Sequence, residues 1–119
     1  MSKMSITLNS NEVKTINSAL TIAVSALAMG DEVIMFAFPA AMPLFKKGRL
    51  HEINVASPNS PDTEEMFDSY VALGGKLMIC ENGFPVHGLK EEDLVDGIQI
   101  VGTTTFVAAA QGSELTFSL

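Results

Sequence analysis

Short apolar runs recur along the chain and are separated by segments with helical spacing of apolar residues. The clearest runs, residues 33–36 and 77–79, contain no polar side chain at all. Strands that are apolar throughout are typical of a sheet covered on both faces. The pattern predicts five strands, at residues 4–8, 32–38, 76–80, 98–101 and 114–118.

Glycines mark the ends of three helix-like segments. Gly30, Gly74 and Gly112 each close such a segment, and a strand-like run follows almost at once. Glycine ends a helix easily because it adopts the left-handed backbone conformation without strain. Short helix-to-strand connections indicate alternating α/β units. We therefore expect residues 1–119 to form a single three-layer α/β/α domain with a mainly parallel five-stranded sheet, whose strand order the sequence does not fix.

Two helix starts carry capping signals. Asn9 and Glu12 are three residues apart and fit a capping box ahead of the first helix. Ser60 and Pro61, followed by carboxylates, fit the N-cap and first turn of the second helix. A third helix is expected at residues 103–111, which are rich in alanine.

Residues 38–60 are predicted to be irregular. They overlap the stretch FAFPAAMPLF, residues 36–45, which is apolar up to Phe45. An exposed apolar patch of this kind marks an interface with another chain. A loop folded over the domain's own core explains the same pattern equally well.

Composition and charge restrict the partners. Hydrophobic residues make up 47% of the 119 residues, which suits a packed core, and the net charge is −7. An acidic chain is a poor partner for nucleic acid or for an anionic membrane, because both are bound through Lys and Arg. The first ten residues lack the apolar run of a signal peptide, and residues 16–29 are too few to span a bilayer. A cytoplasmic protein with neither a nucleic-acid nor a membrane partner is expected.

Polar or reactive residues follow three of the predicted strands. Asn9 and Ser10 follow the first, Cys80 closes the third, and Gly102 and Thr103 follow the fourth. Sites in open α/β sheets lie beyond the carboxyl ends of the strands. If the strands are parallel, these residues share one edge of the sheet.

Cys80 is the only cysteine, so it forms no internal disulfide, and two interpretations of it stay open. It is either a small core hydrophobe, as unpaired cysteines often are, or a nucleophile at the mouth of a site. Backbone N–H groups of Glu81, Asn82 and Gly83 would stabilise a thiolate if they form a turn or helix start. His87 is a weaker candidate for proton handling. Neither a phosphate loop nor metal-ligand spacing is present, so no metal or other cofactor is expected.

The chain resembles the DsrE/DsrF-like family of small sulfur-relay proteins. In residues 76–119, a strand ends in Cys80, Gly88 and Leu89 precede an acidic segment, and EDLVDGIQIVGTTTF resembles the family's closing strand and helix. The opening residues 6–38 resemble the family's first β-α-β unit.

The resemblance implies a compact α/β/α domain that forms homo-oligomers, with Cys80 holding sulfur as a persulfide or thiosulfonate. Its partners would be sulfur donor and acceptor proteins or small sulfane-sulfur compounds, and Asn9, Ser10, Gly102, Thr103 and His87 would line the site. Some family members have a second cysteine and others have no working one. The alternative is therefore a non-catalytic oligomeric subunit or a small-ligand-binding module, and whether the protein is a sulfurtransferase stays open.

Overall fold

The computed structural model describes residues 2–119 and contains, within them, five strands and five α-helices. The strands are β1 (Lys3–Leu8), β2 (Glu32–Ala37), β3 (Lys76–Cys80), β4 (Ile98–Val101) and β5 (Leu115–Ser118). The helices are α1 (Val13–Ala28), α2 (Arg49–Ala56), α3 (Thr63–Ala72), α4 (Gly83–His87) and α5 (Thr103–Ala110). Two 3₁₀ segments, Pro39–Phe45 and Glu91–Asp93, complete the chain.

The five strands form one sheet in the order β4-β3-β2-β1-β5, and every neighbouring pair is parallel. This confirms the predicted α/β class and the parallel sheet. The predicted strand positions agree with the observed ones to within one residue. The agreement follows from the nearly continuous burial of β2 and β3, which the apolar runs required.

Helices cover both faces of the sheet, but unequally. On one face, α1, α2, α3 and the first 3₁₀ segment enclose the larger core, which includes Ile6, Leu20, Met35, Phe45 and Ile79. The other face carries a smaller core, made of Ile34, Phe36, Met78, Cys80 and Phe106. The helix over this smaller core is α5. The side chains of Met78 and Cys80 thus point away from the main body of the protein.

The region predicted to be irregular, residues 38–60, is largely helical. Its first part is the 3₁₀ segment Pro39–Phe45, and α2 follows after Gly48, which takes a left-handed conformation with φ of 84°. Met42, Leu44 and Phe45 are fully buried in the larger core. Of the two interpretations of this apolar stretch, the loop over the domain's own core is confirmed, and the exposed interface at Phe45 is wrong.

Both predicted helix caps are wrong. The N-cap of α1 is Glu12, without a side-chain hydrogen bond, so Asn9 and Glu12 form no capping box. The N-cap of α3 is Asp62, whose carboxylate accepts a hydrogen bond from the backbone N–H of Glu65 at 2.9 Å. Asp62 also accepts from Asn54 Nδ2 at 2.7 Å. This second partner, supplied by α2, favours Asp62 over Ser60 as the start of the helix.

Tyr70 joins α3 to the start of β3. Its ring is fully buried and its hydroxyl donates a hydrogen bond to the carbonyl of Lys76. Burial raises the pKa of the Tyr70 phenol far above its ordinary value, and a backbone hydrogen bond from Met35 offsets part of that rise. The folded state therefore holds the phenol in its neutral form.

We expect this phenol to make folding less favourable at alkaline pH. Below about pH 10 it is protonated in both states, and wild type should exceed Tyr70→Phe in unfolding free energy by about 1 kcal/mol, the worth of one hydrogen bond. Above about pH 10 the unfolded chain ionises first, so wild type should lose up to about 1.4 kcal/mol per pH unit relative to the variant. Urea unfolding of both proteins at neutral pH and near pH 10.5 measures this; a constant difference would contradict it.

Candidate functional site

Cys80 lies at the carboxyl ends of β3 and β4, and the segments that follow these two strands pass to opposite faces of the sheet. It closes β3 and is paired in register with Val101, the last residue of β4. After β3 the chain turns into α4, which packs with the 3₁₀ segment Pro39–Phe45 beside the larger core. After β4 it passes through Gly102 into α5 on the opposite face. Connections that diverge to opposite faces open a crevice at the carboxyl ends of adjacent strands, the usual place for a site in such sheets.

The thiol is buried in a small core that contains several aromatic rings. Cys80 is 2% exposed and belongs to the smaller core. Within that core Phe36 stacks on Phe106, with ring centroids 4.5 Å apart, and meets Phe38 edge-on at 5.1 Å. The sulfur therefore sits at the predicted edge of the sheet but beneath its surface.

Gly102 and Thr103 lie close to Cys80 along the sheet, as the sequence predicted. The side chain of Glu81 reaches over Gly102, since a Cβ built on that glycine would lie 3.4 Å from Glu81 Oε1. The N–H of Glu81 donates to the carbonyl of Val101 at 3.0 Å and so is already bonded. Thr103 begins α5 and is exposed to solvent. The groups beside Gly102 at this edge of the sheet are thus one carboxylate and the first turn of α5.

Asn9 and Ser10 lie on the same edge but farther along it. β2 separates β1 from β3, which places the ends of β1 and β3 about 10 Å apart. The backbone N–H of Asn9 donates to the carbonyl of Leu119 at 2.8 Å, and the Ser10 hydroxyl accepts from the N–H of Glu12 at 3.0 Å. These bonds organise the entry to α1, and a direct role for either residue at Cys80 stays a prediction.

His87 is bonded elsewhere. Its Nε2 lies 2.6 Å from the carbonyl oxygen of Pro39, so the exposed imidazole ties α4 to the 3₁₀ segment after β2. Cys80 points into the smaller core, whereas α4 packs beside the larger one. The bond to Pro39 makes His87 a residue that positions α4, and its proposed part in proton handling stays a prediction.

The described residues form no candidate metal site, and an open cleft beside β4 lies at the edge of the sheet opposite Cys80. Across residues 2–119, no three His, Cys, Asp or Glu side chains are grouped in a way that would hold a metal ion. An open cleft of about 600 Å³ is lined by Lys47, residues 90–92 and residues 94–98, at the opposite, amino edge of β4. None of the helices in the described chain is long and apolar enough to cross a membrane.

The aromatic cover of the thiol was not predicted. Phe36, Phe38 and Phe106 come from a strand, the residue after it and a distant helix, and they meet only because β2 lies beside β3 and α5 crosses that face. Alternation along β2 and β3 does place Phe36 and Cys80 in equivalent orientations once the two strands are known to be neighbours. The sequence does not show that β2 and β3 are neighbours, so it could not predict this arrangement.

Comparison with known proteins gives relatives and structural neighbours over nearly the whole chain. An uncharacterised protein of Methanocaldococcus jannaschii, MJ0989, is 29% identical over 98 residues, which cover 82% of this chain and 80% of the relative.

Two solved structures share the fold at low sequence identity. The ychN protein from E. coli has a TM-score of 0.78 and 14% identity, with all of both chains covered. The protein MTH1491 from Methanobacterium thermoautotrophicum has a TM-score of 0.75 and 11% identity, covering 98% of this chain and 99% of that one. At such identities the likeness establishes the fold alone.

Residues 3–117 match the sequence model of one family, and they include the strand that ends in Cys80, helix α5 and all of the parallel sheet except the last residue of β5. This match covers almost the entire chain, and it agrees with the architecture of the two structural neighbours. The chain belongs to the DsrE/DsrF-like family.

Proposed function

We propose that the protein is a sulfur carrier that holds sulfane sulfur on Cys80 and passes it to a partner. The observation that carries the proposal is the place of the chain's single cysteine, at the carboxyl end of β3 and beside the carboxyl end of β4. Membership of the DsrE/DsrF-like family supports it, since sulfur relay is what resemblance to that family implies.

The chemistry is a transfer between sulfur atoms without net oxidation. The Cys80 thiolate attacks the terminal sulfur of a donor persulfide, R–S–SH, and the donor S–S bond breaks with its electron pair leaving on R–S⁻. The product is Cys80–S–SH, in which the terminal sulfur keeps its proton. An acceptor thiolate then attacks that terminal sulfur, which regenerates the Cys80 thiolate.

A partner must take the sulfur away. A resolving thiol within the chain would have to be a second cysteine, and Cys80 is the only one. Release as an internal disulfide is therefore impossible, and the acceptor is another molecule or another copy of the chain. We further propose, on the family relationship, that the protein acts as a homo-oligomer, which sedimentation equilibrium of the purified protein tests.

Intact-protein mass spectrometry after exposure to sulfane-sulfur donors tests the carrier. The donors are thiosulfate, tetrathionate and a persulfide-loaded desulfurase. Wild type should gain an adduct containing sulfur that a reductant removes, and the adduct should be absent from both Cys80→Ser and Cys80→Ala. Two variants are needed because a serine hydroxyl would sit unpaired among apolar side chains, whereas alanine leaves only a small cavity.

The second candidate is a non-catalytic subunit of the same fold. The specific observation in its favour is the burial of the thiol, which is what a structural cysteine shows. Absence of any adduct in folded wild type, with all three donors, would reject the carrier and favour this subunit. An adduct on wild type that persists in Cys80→Ala would place the reactive group elsewhere and also reject the carrier.

A further inference from the structure

Any reagent that modifies Cys80 needs a route to its sulfur. The side chain is 2% exposed and is enclosed by the other members of the smaller core, with Phe38 and Val101 packed against them. Bond formation at sulfur requires direct contact, so some element around the thiol has to move. On this face of the sheet, α5 is the helix that covers the smaller core, so α5 is the element to consider.

The helix α5 is held to the sheet by few side chains. It is eight residues long, and its sheet-facing side consists of Phe106, Ala109 and Ala110, spaced i, i+3 and i+4. Of the eight residues in this fully described helix, Phe106 alone is buried. So short a helix is marginal by itself in water, and its order depends on the contact of Phe106 with Phe36.

The two ends of α5 are held differently. At its start, the N-cap Gly102 offers no side chain, and the described structure records no side-chain capping bond there. Beyond its last turn, Lys3 Nζ donates to the carbonyl of Gln111 at 2.8 Å, and the hydroxyls of Ser5 and Ser113 lie 2.5 Å apart. The end of α5 nearest Cys80 is therefore the end with fewer side-chain hydrogen bonds.

We propose that α5 is a lid over Cys80. Its first turn, residues 103–106, unwinds next to Gly102 and lifts Phe106 from Phe36, while the far end stays tied to β1 through Lys3 and Ser5. Opening exposes the thiol, and closing returns it to the smaller core. The proposed function rests on the same thiol, and the lid sets how often that thiol can react.

Alkylation of the native protein by iodoacetamide, followed by intact mass, tests the lid without any sulfur chemistry. Wild type should react slowly, at a rate that hardly changes at low urea, because local opening exposes little surface. Phe106→Ala should react at least tenfold faster. Val107→Ala is the matched control, since Val107 is the next residue on the outer side of α5 and is 49% exposed; its rate should stay within twofold of wild type.

Three results would overturn the lid. Equal rates for wild type and Phe106→Ala would mean that the thiol is reached by another route. A wild-type rate that rises with urea as steeply as global unfolding would mean that the thiol is exposed only in the unfolded chain. An undetectable wild-type rate in folded protein would mean that no opening occurs. If circular dichroism shows Phe106→Ala to be unfolded, the alkylation rate of Phe106→Leu and the dependence of the wild-type rate on urea test the lid instead.

The lid and the carrier can fail separately. Rapid alkylation of Phe106→Ala without a sulfur adduct from any donor would reject the carrier and keep the lid. A sulfur adduct that forms equally fast on wild type and Phe106→Ala, with equal alkylation rates, would reject the lid and keep the carrier.

Discussion

Phe45→Asp is expected to yield no folded protein. The Phe45 ring is fully buried in the larger core, tilted against Phe67 with centroids 5.8 Å apart. Removing a buried phenylalanine destabilises a domain by about 3–5 kcal/mol, and placing a carboxylate there adds several kcal/mol more. Together these approach the whole stability of about 5–15 kcal/mol that such a domain has. Far-ultraviolet circular dichroism and urea unfolding measure the outcome.

Two further variants test whether the effect of Phe45→Asp arises from placing a charge at a buried position. Phe45→Leu keeps an apolar side chain and should fold with a loss of about 1–2 kcal/mol. Val86→Asp introduces the same charge at a side chain that is 66% exposed and should change the unfolding free energy by less than about 0.5 kcal/mol. A folded Phe45→Asp with an altered oligomeric state would return the stretch 36–45 to the role of an interface.

Gly75→Ala is expected to destabilise the protein by about 3 kcal/mol. A Cβ at this position would lie 2.5 Å from Cε1 and Cζ of Tyr70, so the ring would have to move. The ring has no free space because it is fully buried, and moving it would also strain the bond from its hydroxyl to Lys76. Overpacking costs about 1–3 kcal/mol and a lost hydrogen bond about 1 more.

The adjacent glycine provides the control. Gly74 has a φ of 92°, and a Cβ there would meet nothing within 4 Å. Gly74→Ala should therefore lose only about 1–2 kcal/mol, the cost of a left-handed alanine. Urea unfolding of both variants and of wild type compares them. Equal losses would show that the Tyr70 ring accommodates the added methyl group at little cost, which would contradict the prediction.

The strands β2 and β3 could be predicted from sequence because each is a local apolar run whose burial needs no knowledge of its neighbours. Helix α2 could not be predicted, because only two of its eight residues, Leu50 and Ile53, are buried. Arg, His and Glu at residues 49, 51 and 52 surround Leu50, so no apolar stripe is visible in the sequence. The start of α3 was misplaced for a related reason. Asp62 outcompetes Ser60 through its bond with Asn54, a residue of a helix that the pattern had not revealed.

The position of Cys80 at the edge of the sheet could be predicted from the sequence, but the burial of its thiol could not. The end of an apolar strand placed Cys80 at the carboxyl edge, and register with Val101 brought Gly102 beside it. Whether the thiol faced solvent depended on where α5 crossed the sheet, and nothing local to Cys80 encodes that crossing. Phe106, which lies 26 residues later in the chain, belongs to the same small core as the thiol.

The burial of Cys80 has a consequence for damage by oxidants. Peroxide converts an accessible thiolate to a sulfenic acid, which a neighbouring thiol normally traps as a disulfide before further, irreversible oxidation to the sulfinic acid. This chain has no other cysteine to act as that trap. Peroxide reaches a thiol that is 2% exposed only when the thiol is uncovered, so enclosure within the smaller core slows the first oxidation step and partly replaces a resolving cysteine.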